Sequence, residues 1–208
     1  MARPGNVSIS LVYLLVAGML GAAIWFMIAP AFEDESRVSY ALRSSAQLAF
    51  LTYVIIFVAR PLRQLLPHRF TQTLLRIRPY LGVGLAAIMS VHLVLIAWWF
   101  IFVARQSPPL VTLLAGGFAY LLIFLMLITT YAAPARALGP RKWRLLHKTG
   151  LYVIGAVYLN ALIRDVIAKP SDPVYLATGI LIVVAITVRT AAYAKVKYQR
   201  TAAIASDR

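Results

Sequence analysis

The chain has 208 residues, of which 62% are hydrophobic and only 13% are charged. A soluble globular domain is nearer to about half apolar and about a quarter charged, so this composition excludes an ordinary soluble protein. A hydrocarbon core about 30 Å thick needs roughly 20 apolar residues of helix per crossing, and the long apolar runs fit helices better than barrel strands of about 10 residues. No cysteine is present, which excludes disulfides, iron–sulfur clusters, thiolate ligation of haem and covalent haem attachment.

The formal net charge is +15. A surplus of this size would suit a protein that binds nucleic acid. In a chain of apolar helices, however, cations flank the membrane and face anionic headgroups. Membrane lipid is therefore the predicted partner, and nucleic acid is not.

Six apolar segments are predicted to span the membrane as one domain over residues 1–208. The first covers residues 9–29, which is longer than the apolar core of a signal peptide, so we predict a retained helix; cleavage near Ala31 is the alternative. The other five spans are about 41–59, 79–104, 110–131, 146–163 and 174–194. The predicted fold is an all-α integral membrane protein, a bundle of six transmembrane helices.

The loops between the predicted spans differ in charge. Residues 60–78 and 132–148 carry five cations each and no acid, whereas five of the six acids lie in the other three loops. By the positive-inside rule, both basic loops and both termini are cytoplasmic. An even number of spans agrees with this orientation.

Three histidines are available as ligands for a metal or a haem. His92 lies about 13 residues into the third predicted span, or roughly 20 Å along a helix, near the middle of the membrane. An ionisable residue at that depth is a functional candidate, and a hydrogen-bonded packing role is the alternative. His147 joins a cationic cluster to the fifth span, where an interfacial role is the alternative. His68 follows Pro67 and is predicted to be a solvated loop residue.

Imidazole is a standard axial ligand of a b-type haem, and two imidazoles from facing helices would give an electron-transferring iron. We therefore predict His92 and His147 as iron ligands. Small residues in the third and fifth spans would let the helices part around the ring, or would simply mediate helix packing. Haem propionates need cations near the interface, for which Arg78 and Arg144 are candidates, and binding of lipid phosphate is the alternative.

Three stretches resemble the family of the ferric-reductase-like transmembrane domain. They are A-R-P-L-R-Q at 59–64, L-G at 81–82 followed by V-H-L at 91–93, and L-G-P-R-K-W-R-L-L-H-K at 138–148. Within that family, the chain is similar to the haem-binding membrane subunit of the bacterial periplasmic system that reduces protein methionine sulfoxide. The resemblance covers most of the chain.

This resemblance implies a multi-pass protein of the bacterial inner membrane, with one or two b haems between the third and fifth spans. Electrons would come from a quinol or a flavin reductase, with FMN or a quinone as a further cofactor. They would pass to a periplasmic molybdenum reductase subunit. The chain itself would be an electron-transfer subunit without catalytic residues, since it has no G-x-G-x-x-G fingerprint for NAD(P)H.

The chain departs from the family pattern at Asn160, where the family has a second histidine in the fifth span. An asparagine amide is a poor iron ligand, so Asn160 and Arg78 are secondary candidates that would hydrogen bond to a ligand or a propionate. Three arrangements stay open: His92 and His147 share one haem, each binds its own, or haem is lost. The competing functions are a cofactor-free structural or assembly protein and a small transporter, although transporters usually show internal repeats.

Overall fold

The computed structural model describes residues 35–104 and 107–206, so the predicted first span, residues 9–29, lies outside the described residues. The described chain is helical throughout and contains no strand. Its helices are α1 Glu35–Leu65, α2 Arg69–Trp98, α3 Leu110–Ile128, α4 Ala132–Leu138, α5 Pro140–Ala168 and α6 Pro173–Ser206. Trp99–Val103 extends α2 as a π-helical turn, in which the N–H of Ala104 donates to the carbonyl of Trp99.

Five helices of the described chain, all except the short α4, are long and apolar enough to cross a membrane. The all-helical fold class is thereby confirmed, together with five long apolar helices at the predicted second to sixth spans. Large apolar side chains lie exposed along these helices, as lipid contact requires. The predicted first span, the total of six spans and the cytoplasmic placement of the termini stay predictions.

The predicted boundaries of the basic loops are wrong. Residues 60–78 were expected to form a loop, but only residues 66–68 separate α1 from α2. Residues 132–148 form α4 and the start of α5, with Gly139 alone between them. Arginine and lysine are good helix formers, so a helix continues past the point where its apolar segment ends.

The break between α4 and α5 depends on two adjacent residues. Gly139 has a φ of 79°, a left-handed conformation that favours glycine at the end of a helix. Pro140 then begins α5, where its missing N–H costs no hydrogen bond and its fixed φ suits the first helical turn. The chain therefore turns within a single residue at this point.

The chain divides into two compact units, and the boundaries between them fall within the helices α1, α2 and α5. The first unit comprises Met1–Thr52 and Pro79–Gly150, and the second comprises Tyr53–Arg78 and Leu151–Arg208. Ile88 of α2 is the largest fully buried side chain in the described part of the first unit. The prediction of one domain over residues 1–208 stays a prediction.

Candidate functional site

His92 lies half-buried on α2 in the first unit. Its Nδ1 is 2.8 Å from Oγ of Ser45 on α1. When that hydroxyl donates its single proton to the carbonyl of Leu42, at 3.0 Å, it accepts a hydrogen bond from Nδ1–H of His92. In a neutral imidazole with the proton on Nδ1, the lone pair lies on Nε2.

The Nε2 atom of His92 has no hydrogen-bond partner among the described residues. Histidines that bind a metal usually donate their other ring N–H to a neighbouring acceptor, which fixes the tautomer and the ring orientation. Ser45 is such an acceptor. His92 therefore fits the role of an axial ligand.

His147 lies near the start of α5, and its ring nitrogens are arranged differently. Its Nε2 is 3.2 Å from Oγ1 of Thr129, at the end of α3. Oγ1 donates to the carbonyl of Leu125 at 2.7 Å, so the threonine hydroxyl accepts from Nε2–H of His147. Nε2 of His147, one of the two ring nitrogens that could bind an iron, is therefore already hydrogen bonded to Thr129.

Trp143 completes this arrangement, which we name the Thr129–Trp143–His147 cluster. The indole Nε1 of Trp143 donates to the carbonyl of Thr129 at 2.9 Å. The Trp143 and His147 rings are in contact, tilted by 31° with their centroids 4.2 Å apart. Two hydrogen bonds thus join the C-terminal end of α3 to α5, and the ring contact lies within α5.

The two predicted ligands therefore differ in how well they fit a haem. With its proton on Nδ1, toward Ser45, His92 has the tautomer that ligation through Nε2 requires. His147 can ligate through Nε2 only if its hydrogen bond to Thr129 breaks. The sharing of one haem by His92 and His147 stays a prediction.

The remaining predicted site residues are distributed over both units. Arg144 is exposed and belongs to the unit that contains His92 and His147, whereas Arg78 and Asn160 belong to the second unit. Asn160 is exposed, and Arg78 is half-buried with its Nε donating to the carbonyl of Ile56 at 3.1 Å. Within the described residues, no group of three His, Asp or Glu side chains could hold a metal ion; one or two imidazoles on a haem would not form such a group.

The sequence did not reveal the contacts of Arg189, which lies on α6. Its Nη1 donates to the carbonyl of Phe57, and its Nε donates to the hydroxyl of Tyr152, both at 3.1 Å. The guanidinium carbon lies 4.3 Å from the centroid of the Phe57 ring and 4.8 Å from that of Tyr152. Arg189 therefore joins α6 to α1 and α5 within the second unit.

Pro61 is the sequence signal that explains this contact. Proline has no N–H, so a proline inside a helix leaves the carbonyl four residues earlier without its usual donor. In α1 that carbonyl belongs to Phe57, and Arg189 supplies the missing donor. Farther along α6, Nζ of Lys195 lies 3.2 and 3.3 Å from the carbonyl oxygens of Gln64 and Leu65 near the end of α1.

No protein-family model, curated protein or solved structure matches the chain. The resemblance to the ferric-reductase-like transmembrane domain is thus a hypothesis that depends on the motifs alone. The function has to be argued from the histidines and from their hydrogen bonds.

Proposed function

We propose that the chain is a haem-binding membrane protein that transfers electrons, with His92 as an axial ligand of a b-type haem. The observation that supports this most directly is the hydrogen bond between Ser45 and Nδ1 of His92, at 2.8 Å. It leaves the lone pair of the neutral imidazole on Nε2, where ligation needs it. A b-type haem, when bound, supplies reversible one-electron transfer at its iron.

Ser45 holds the His92 ring for this role. The serine is itself fixed to α1 through its own hydrogen bond to Leu42, so its acceptor lone pair has a defined position. An acceptor of this kind also raises the basicity of the ligating nitrogen. The residues of α1 and α2 thus select both the tautomer and the orientation before any ligand binds.

His147 is our proposed second ligand, because the only other histidine, His68, is exposed at the start of the α2 region. Ligation through Nε2 and the hydrogen bond to Thr129 compete for the same nitrogen. The protein without haem and the protein with haem therefore differ at the Thr129–Trp143–His147 cluster. Arg78, Arg144 and Asn160 are secondary candidates for contacts to a propionate or a ligand.

The direction of electron transfer is proposed from the family resemblance. A quinol or a flavin reductase, with FMN or a quinone as cofactor, would supply electrons at the cytoplasmic side of a six-helix protein in the bacterial inner membrane. A periplasmic molybdenum reductase subunit that acts on methionine sulfoxide would accept them. An external reductase is required because the chain has no dinucleotide fingerprint of its own.

The test is the visible spectrum of the full chain, purified in detergent from cells supplied with haem precursors. We expect b-type bands in the reduced-minus-oxidised spectrum and about one haem per chain by pyridine haemochrome. His92→Ala should abolish binding, and His68→Ala is the matched control that should retain it. His147→Ala should convert a low-spin spectrum into a high-spin one if both imidazoles ligate the iron.

Two results would contradict the proposal. Purified wild-type protein without haem would favour a cofactor-free structural or assembly protein, or a small transporter. Haem that persists unchanged in the His92→Ala variant would show that the binding site lies elsewhere.

A further inference from the structure

We propose that Arg78 and Arg189 together form a binding site for a phosphate group, supplied by an anionic phospholipid. The site lies in the second unit and consists of guanidinium groups held against two consecutive carbonyls of α1. This inference does not depend on the presence of haem.

The positions of the two guanidinium groups are fixed by hydrogen bonds. Nε of Arg78 donates to the carbonyl of Ile56, and Nη1 of Arg189 donates to the carbonyl of Phe57, each at 3.1 Å. Because Ile56 and Phe57 are adjacent in α1, these bonds bring two cations from α2 and α6 to neighbouring acceptors on a third helix. Pro61 accounts for the Arg189 contact, because it frees the Phe57 carbonyl.

Both arginines retain donors that could bind an anion. A guanidinium has five N–H groups. Arg78 uses only Nε, so both of its terminal nitrogens are without hydrogen-bond partners among the described residues, as is Nη2 of Arg189. The planar donors of a guanidinium match the geometry of phosphate oxygens.

The positive charges are not neutralised by the described part of the chain. Neither Arg78 nor Arg189 forms an ion pair with a described carboxylate. Arg78 and Arg189 carry like charges, which repel each other. An anion placed against the two guanidinium groups would relieve this repulsion.

The surroundings favour a lipid as the source of the phosphate. Both arginines are half-buried, so part of each side chain is accessible to a ligand. Val183 and Ile186, within two turns of Arg189 on α6, are 64% and 47% exposed and offer an apolar surface for an acyl chain. Tyr193, one turn farther along α6, is 72% exposed, as expected of an aromatic residue at a headgroup level.

The experiment measures lipid binding to the full chain in a non-ionic detergent by native mass spectrometry and by thermal unfolding. Phosphatidylglycerol should bind and raise the Tm, and phosphatidylcholine should do neither. We expect Arg78→Gln to weaken binding of phosphatidylglycerol by about tenfold, since it removes one charge-assisted contact. Arg200→Gln is the matched control, because Arg200 is exposed on the same helix as Arg189 and has no described hydrogen bond.

Arg189 requires a second variant, because Arg189→Gln also deprives the Phe57 carbonyl of its donor. Pro61→Ala restores the backbone N–H at that position, so Pro61→Ala combined with Arg189→Gln should fold and still bind phosphatidylglycerol weakly. Normal lipid binding by this double variant and by Arg78→Gln would overturn the proposal.

Two further measurements distinguish a phospholipid from the other anions that could bind the two arginines, inorganic phosphate and a haem propionate. If inorganic phosphate raises the Tm and phosphatidylglycerol does not, the lipid assignment is wrong. If loading with haem removes the preference for phosphatidylglycerol, a propionate occupies the arginines, and the lipid assignment is again wrong. Haem content is measured separately in every preparation, so failure of the lipid site and failure of haem binding are distinguishable.

Discussion

Arg189 donates a hydrogen bond from Nη1 to the carbonyl oxygen of Phe57, 132 residues earlier in the chain, at 3.1 Å. We predict that Arg189→Met destabilises the protein by about 2–3 kcal/mol. The substitution leaves a helix carbonyl without a donor and removes a cation from the faces of two aromatic rings. Equilibrium unfolding in mixed micelles measures the free energy of unfolding.

A double-mutant cycle with Pro61→Ala tests the stated cause. When residue 61 again carries an N–H, the Phe57 carbonyl no longer needs Arg189, so Arg189→Met should cost less in that background. Equal costs in both backgrounds would show that the proline does not explain the arginine contact.

Ser45→Ala is predicted to weaken haem binding roughly 10- to 100-fold, the usual effect of removing a hydrogen-bond partner from a ligating histidine. The substitution leaves the Nδ1–H of His92 without its acceptor. Haem titration of the apoprotein, followed by absorbance, measures the change in affinity. Ser44→Ala is a matched control, since Ser44 precedes it on α1 and has no hydrogen bond in the described chain. Equal affinities for the two variants would rule out the positioning role of Ser45.

Thr129→Val is predicted to increase the low-spin fraction of haem-loaded protein. Valine has the shape of threonine but lacks the hydroxyl that engages Nε2 of His147, so the nitrogen becomes available to iron. Trp143→Phe is the comparison: it removes the donor to the Thr129 carbonyl without releasing Nε2. Each variant should lower stability by about 1 kcal/mol without haem, the typical worth of one hydrogen bond. The spectrum should change only for Thr129→Val, and a similar change for Trp143→Phe would contradict this assignment.

Gly155→Ala and Gly82→Ala are predicted to have opposite effects. A Cβ at Gly155 would overlap the hydroxyl of Tyr53, which is fixed by its hydrogen bond to the carbonyl of Leu151 at 2.9 Å. We expect a loss of about 1–3 kcal/mol there, as for other overpacked positions. A Cβ at Gly82 has no neighbour within 4 Å, and alanine there should stabilise the helix by about 0.5–1 kcal/mol. The Tm of both variants, measured by thermal unfolding, tests these expectations. A higher Tm for Gly155→Ala would show that the Tyr53 side chain shifts away from the added methyl group at little cost.

The apolar runs of the sequence were sufficient to predict the helices, because burial in lipid requires long apolar segments of helix. They were insufficient to predict the helix ends. Arg60 and Pro61 resemble the end of a span, yet α1 continues to Leu65. The donors that make this extension possible lie on other helices, at Arg189 and Lys195, and a single segment of sequence carries no information about them.

The candidate site could be predicted in part. His92 was identified by its depth in an apolar segment, but the identity of its hydrogen-bond partner required the packing of α1 against α2. The difference between His92 and His147 is likewise invisible in the sequence, since both are single histidines in helices. It arises from which ring nitrogen Ser45 or Thr129 contacts.

The hydrogen bond between Phe57 and Arg189 also has a consequence in time. A ribosome adds about 5–20 residues per second, so the 132 residues between them take roughly 7–26 s to synthesise. Throughout that interval, the Phe57 carbonyl of α1 lacks the donor that Arg189 later supplies in place of the missing N–H of Pro61. The newborn protein therefore acquires this partner of α1 only when α6 is made, and a chain truncated before α6 would keep the Phe57 carbonyl without that donor.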